Sequence, residues 1–381
     1  MLTERVKYKT KDISPETFFS DPVYLDEQFI LTAPEMPFSR ELINALEEWD
    51  IPEVYCVGEN LGDYADFFAL DDELDVQDVP ANSSSMMKVE EFYSSFLNYT
   101  KNLIVHAAVG NELDFNQVAR RIKTLCDMIR QERNAILRVQ SNAMFNQEEN
   151  FLASHSLKST IISIIIGSYF KLPTHRLIEL GVAALLHEIG MTVLSPRIYL
   201  SRQALKPLEK KAILSHPARG YNMLKANGFP LSVMLAALEH HERDNGSGYP
   251  RNLTGDKISL YAKIIAVACS YEAISAQRPH KEAKDGYTGM VELLKNEGKQ
   301  YDDTIIRALV YSLSIYPVGL HVLLSNDLKA QVIDVDPEDP RYPIVQISGE
   351  QMPGGMNRII ATSQDGIYIS RPLSKEEIGA E

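Results

Sequence analysis

Apolar residues along this chain follow two spacings, and each change of spacing marks a boundary. Between residues 23 and 58 the stretches VYLDEQFIL, ELINALEEW and PEVYCVG predict strand, helix and strand. Alternation argues for half-buried strands, and apolar residues three and four apart argue for an amphipathic helix. Residues 1–62 are therefore expected to form a small α/β unit, with residues 1–20 frayed and polar. Residues 63–85 run through an acidic stretch into VPANSSS and are read as a linker. From 86 to 147, MKVEEFYSSFLNYTKNLIVHAAV and FNQVARRIKTLCDMIRQERNAI predict long connecting helices. Their apolar stripes need a covering surface, which makes a homodimer through 86–147 one expectation. Helical spacing continues from 148 to 316, broken by short turns. After Pro317 the pattern becomes alternation, in LHVLL, AQVIDV, YPIVQI, RIIATS and GIYIS, separated by turn residues. The expected fold class is mainly α: an all-helical domain preceded by a small α/β unit and followed by a short β appendix.

Charge refines this outline. The chain has 38 basic and 52 acidic residues, a formal net charge of −14. Eight of the acids, and no base, lie between Glu59 and Asp78, so the rest of the chain carries only −6. Binding to duplex nucleic acid or to an anionic membrane surface needs a basic face, and neither is expected. A local phosphate site remains compatible with this balance. The start, MLTERVKYKTKD, lacks an apolar signal core, and no run of about 18 apolar residues is seen. Three scattered cysteines, Cys56, Cys126 and Cys269, do not make a disulfide framework. The expectation is a reduced, cytoplasmic protein without a membrane span.

The candidate chemistry is in the histidines. Seven of the nine fall between His155 and His280. His155 sits near the start of an apolar helix, His187 and Glu188 end another in AALLHEIG, His216 lies in LSHPARG, and His240 and His241 are adjacent in LEHHERDNGSGYP. His106, His175 and His321 read as packing or capping residues, and each of the others alone would read the same way. Jointly, five histidines in HE and HHE settings on successive helices are improbable as core filler. Adjacent residues do not share a helix face, but an HH or HE pair at a helix end can serve two different ions. Neutral imidazole and carboxylate suit iron, manganese or zinc. Two such ions about 3.5–4 Å apart clamp a phosphate ester and activate a water-derived nucleophile. Asn245-Gly246 and Gly248 force a tight loop directly after the HHE helix. On its own this is a turn; beside metals it would hold Tyr249 and backbone amides over a ligand.

In this order, His155, HEIG at 187–190, HP at 216–217, HHE at 240–242 and GSGYP at 246–250 resemble the HD-GYP domain, the HD-superfamily variant that hydrolyses cyclic di-GMP. The resemblance covers about 148–325. It includes IIAVACSYEAISAQRPHKEA, with its Arg-Pro motif, and the YPVG segment at 316–319. Residues 326–381 are left as a β-rich extension. The front unit is similar to a small N-terminal domain often attached to such proteins. The resemblance implies two divalent metal ions, iron or manganese. His155, His187 and Glu188 would bind the first, with Glu188 bridging; His216, His240 and His241 would bind the second. His187 and Glu188 are the implied catalytic pair. Arg278, Lys281, Tyr249 and Gly248 would meet the substrate, and the product would be linear pGpG or, after a second cut, GMP.

Three departures from the family pattern stand out. Glu188 is one methylene longer than the family's Asp, Met191 replaces a Lys, and Cys269 replaces the late metal-binding Asp. A thiolate can ligate a metal; a buried apolar thiol would instead leave one ion short. Phe151 stands where three-metal members have Glu, so a third metal is not expected. Two function classes remain open at this point: a metal-dependent phosphodiesterase, and a degenerate domain that binds cyclic di-GMP or a protein without hydrolysis. A hydrolase of another nucleotide is a third, which the GYP loop disfavours.

Overall fold

In a computed structural model, the structure describes residues 5–15, 17–19, 23–26, 30–32, 38, 40–58, 60–63, 85–141, 151–199, 206–275, 286–296, 298–335, 341–351, 357–362 and 366–378. The chain divides into two compact units, residues 1–78 and 79–381.

In the first unit, strands Val6–Lys9, Glu53–Cys56, Val23–Tyr24 and Ile30–Thr32 form one antiparallel sheet in that spatial order. Thr17–Phe19 pairs separately with Asn60–Asp63. The helix Arg40–Glu48 contributes Ile43 and Leu46 to a core with Phe19, Phe38, Val54 and Cys56. The expectation that residues 1–20 are frayed is corrected here. Val6–Lys9 is a strand because its alternation, though only four residues long, has a partner at Glu53–Cys56. Tyr8 fixes it further, with its ring edge-on to Phe19 at 4.8 Å and its hydroxyl donating to Gly58 O at 3.1 Å. Residues 64–84, nearly all of the acidic linker, lie outside the described residues.

In the second unit, the helices Ser85–Ala108 and Phe115–Ser141 bury their stripes within the chain. Val89, Tyr93, Phe96, Thr100, Leu103 and Ala107 recur every three or four residues and are buried, as are Val118, Ile122, Leu125 and Ile129. Both helices pack on Phe151–Tyr169. Among the described residues most of the apolar surface that suggested a homodimer through 86–147 is covered within the chain, while Met87 and Val105 stay exposed.

Phe151–Tyr169 is the central helix, with every residue from Leu152 to Gly167 buried. By length and composition it is also the one described helix long and apolar enough to cross a membrane, although 89% of its window is buried inside the domain. The sequence reading finds no such stretch because Ser154, Ser156, Ser159, Thr160 and Ser163 interrupt the apolar run. Their small side chains still pack, and hydroxyls such as Thr160 Oγ1 donate to the helix backbone, here to Ser156 O at 2.7 Å. Thr174–Leu186 and Leu260–Ser275 pack against this helix, and Leu231–Glu239 joins both of them.

The β appendix is a five-stranded antiparallel sheet. In spatial order it runs Asn357–Ala361, Ile344–Gln351, Lys329–Asp334, His321–Leu324 and Ile369–Pro372. It is a four-strand meander from His321 to Ala361, with a fifth strand, Ile369–Pro372, returning beside the first. Val322, Leu324, Ala330, Val332, Val345 and Ile347 fill its inner face. The sheet starts at His321, ahead of the 325/326 boundary expected from the sequence.

Candidate metal centre

Three helices end at one place. The last carbonyls of an α-helix have no intrahelical partner, and here histidines use them. His187 follows Thr174–Leu186, and its Nδ1–H donates to Ala184 O at 2.7 Å. His240 follows Leu231–Glu239 and donates from Nδ1 to Ala237 O at 2.9 Å. His216 comes just after Pro207–Leu214 and donates from Nδ1 to Ile213 O at 2.6 Å. A carbonyl only accepts, so each Nδ1 carries the hydrogen and each Nε2 presents a lone pair.

These lone pairs converge on Glu188. Glu188 Oε1 lies 3.9 Å from both His155 Nε2 and His187 Nε2, and Oε2 lies 3.1 Å from His216 Nε2. Two groups result: His155, His187 and Glu188; and Glu188, His216, His240 and His241. Within each group the potential ligand atoms lie within 4.8 Å of one another, and Glu188 belongs to both. Glu188 precedes the 3-10 turn Ile189–Val193, which approaches the helix His216–Ala226 very closely. A Cβ on Gly190 would stand 2.0 Å from His216 O, so only glycine permits this approach.

The site is buried and its protonation suits cation binding. Burial drives the imidazoles down, His187 to about 4 and His241 to about 3, with His240 well below its ordinary value. They are neutral near pH 7. Burial pushes Glu188 up, but Coulombic attraction to the surrounding imidazoles once acid protonates them outweighs it and holds the carboxyl at about 2. His187 Nε2 and Glu188 Oε2 are buried without a hydrogen-bond partner among the described residues. Orphaned buried lone pairs, neutral imidazoles and one shared carboxylate fit a divalent cation.

The loop after His241 is tied down from below. Tyr249 stacks on His241 with ring centroids 4.6 Å apart and planes 18° apart, and its amide donates to His241 O at 3.2 Å. Gly248 sits where a Cβ would come within 2.4–2.5 Å of Arg243 N, Glu242 Cα and His241 O. Two buried acids to which the sequence assigns no role, Glu242 of the HHE motif and Glu239 before it, hold this loop. Glu242 accepts from Arg251 N at 2.7 Å and Leu253 N at 2.9 Å, and Glu239 accepts from Ser259 N at 2.8 Å and from the Arg251 guanidinium. A third, Glu272, accepts from His155 Nδ1. Its signal in the sequence is that Lys263 and Glu272 are the only charges in the helix Leu260–Ser275.

Other expected residues fall elsewhere. Cys269 is buried with Sγ donating to Ala266 O at 3.5 Å, and it belongs to neither ligand group. Met191 is buried in an apolar cluster with Leu152 and Leu194. Arg278 and Lys281 lie outside the described residues. His106, in the last turn of Ser85–Ala108, bonds through Nε2 to Glu112 O of the following loop at 3.0 Å.

The chain is similar to several known proteins. Residues 137–305 match the family model described as an HD domain. Cyclic di-GMP phosphodiesterase PdeB of Borreliella burgdorferi is 28% identical over 196 residues, covering 51% of this chain and 52% of that protein. Cyclic di-GMP phosphodiesterase PA4108 of Pseudomonas aeruginosa is 28% identical over 229 residues, covering 60% of this chain and 54% of that protein. A 3'3'-cGAMP-specific phosphodiesterase of Vibrio cholerae is 31% identical over 168 residues, covering 44% of this chain and 36% of that protein. The chain thus spans about half the length of the first two relatives, and less of the third. With this match over 137–305 and a Gly-Tyr-Pro loop packed against its histidines, that part of the chain is an HD domain.

Proposed function

We propose that this protein is a phosphodiesterase that hydrolyses cyclic di-GMP to linear pGpG, with GMP as the product of a second cut. The observation that carries the reading is Glu188, one ionised carboxylate shared by two groups of imidazoles. His155, His187 and Glu188 would hold one divalent cation, and Glu188, His216, His240 and His241 the other, with iron or manganese suited to such a donor set. Bound cations of this kind offset phosphate charge and make water a nucleophile near neutral pH.

The chain's own groups do the rest. Nε2 of His187, His216 and His240 is left to the site, because each Nδ1 proton is engaged by a main-chain carbonyl. Tyr249, stacked on His241, forms an aromatic wall beside the ligand groups, against which a base can lie. Arg278 and Lys281 are assigned to orienting the phosphate, and Gly248 to letting the loop close on the HHE turn. Of the three relatives described above, two are named for cyclic di-GMP and one for 3'3'-cGAMP, so both nucleotides belong in the test.

The test is turnover by the purified chain loaded anaerobically with iron or manganese. Linear pGpG appearing from cyclic di-GMP, faster than cleavage of 3'3'-cGAMP, is the expected result. No cleavage of either under both metals sinks the reading. One observation favours a receptor that binds without cutting: Cys269, at the position of the family's late ligand, stays out of both groups. Nucleotide binding by chelator-treated protein, with no turnover after metal loading, would identify that behaviour.

A further inference from the structure

His155 differs from the other oriented histidines in what aims it. His187, His216 and His240 stand just beyond helix ends and use carbonyls of the last turn, three residues back. His155 lies inside Phe151–Tyr169, where the carbonyl three residues back is part of the helix's own hydrogen-bond ladder. Its Nδ1–H therefore needs an acceptor from another element, and Glu272 of Leu260–Ser275 supplies one. Both side chains are almost fully enclosed, with His155 5% and Glu272 4% exposed. A buried carboxylate needs compensation. Lys158, one turn beyond His155 and 7% exposed, is close enough to feel the Glu272 charge.

We propose that Glu272 is the positioning residue for His155, fixing its Nδ1–H tautomer and aiming Nε2 at Glu188, so that one ligand of the centre is oriented from a different helix by a charged group. An anionic acceptor also makes the ligating nitrogen a stronger donor than a carbonyl does, and losing such a partner typically weakens metal binding about 10–100-fold. The two ligand groups are thereby unequal: the group containing His155 depends on Glu272 and the other does not. This inequality rests on the reading of both groups as metal sites; the tautomer does not.

Two measurements on the full chain test it. The first is the long-range ¹⁵N–¹H imidazole spectrum of metal-free protein. Wild type is expected to show His155 as the Nδ1–H form. Glu272→Leu combined with Lys158→Met, which removes both buried charges, is expected to release it while leaving His187, His216 and His240 unchanged. The second is Zn²⁺ titration against a chromogenic chelator. Two equivalents are expected for wild type, and the double variant should weaken one of them about 10–100-fold. Glu272→Gln keeps an acceptor without the charge, so it should hold the tautomer and lose less affinity. If the double variant does not fold, as judged by its melting curve, Glu272→Gln decides on the same two readouts. An unaltered His155 spectrum, zinc binding unchanged at both equivalents, or equal weakening of both overturns the proposal. Wild type that binds no zinc overturns the metal reading instead, while the tautomer result still judges Glu272.

Discussion

His216 Nε2 and His240 Nε2 face each other at 3.1 Å, each in a ring whose Nδ1 proton is held by a main-chain carbonyl. Two lone pairs this close repel unless a proton or cation lies between them. Burial keeps His240 neutral, and with Glu188 and His241 beside the pair, a cation satisfies it best. His240→Ala is therefore expected to lose at least one metal equivalent through gel filtration. Elemental analysis of variant and wild type checks this, and equal metal content would remove the second ligand group from consideration.

The buried imidazoles also set a pH response in metal-free protein. Burial holds His187 at about 4 and His241 at about 3, below the ordinary 6.5 that the unfolded chain keeps. As pH falls below 6.5, the unfolded chain takes up protons that the folded chain refuses, so stability drops with falling pH across that window. The expected outcome is a melting temperature of chelator-treated protein that declines from pH 6.5 toward 4. His187→Gln should flatten part of that decline. A melting temperature independent of pH over this range contradicts the burial argument.

Gly190 sets how closely the Glu188 turn meets the His216 helix. A methyl at this position would overlap His216 O and Gly220 N, at 2.0 and 2.5 Å. Both neighbours are backbone atoms, so the two elements must part. Gly190→Ala should cost about 1–3 kcal/mol, the usual range for overpacking. Because Glu188 and His216 ride on the separated elements, metal content should fall along with the melting temperature. A drop in stability with full metal retention would show that the turn's position is not critical to the ligand geometry.

Cys269 makes its polar contact with Ala266 O and stands outside both ligand groups. Cys269→Ala is expected to leave metal content unchanged. With cobalt as the probe, a thiolate-to-metal charge-transfer band that vanishes in the variant would overturn this and make Cys269 a ligand. Cys269→Asp supplies the family's carboxylate and tests whether adding a ligand raises turnover.

Much of the site was legible because its chemistry is concentrated in rare residue types. His155, His187, Glu188, His216, His240 and His241 stood out by identity and spacing, and the structure brings all six together. The residues that hold them were harder to see. Glu272, Glu239 and Glu242 are ordinary acids by composition, and only their burial and bonding partners give them meaning. Val6–Lys9 was missed for a related reason: four residues of alternation carry little signal until Glu53–Cys56 is known to lie alongside. The central helix hid its apolar character behind small hydroxyl residues, of which Thr160 donates to its own helix backbone. The long helices before it raised the opposite difficulty, since a stripe seeking cover looks the same whether that cover is a second chain or the chain's own next helix.

Ala184, Ile213 and Ala237 each offer a carbonyl to the histidine just beyond their own helix. Each of those three rings therefore travels with its helix as one rigid piece. Sliding any of the three helices would alter the gaps between Nε2 atoms without turning a single ring. Spacing and aim are separate degrees of freedom in this centre, and a displacement of whole helices acts on the first alone.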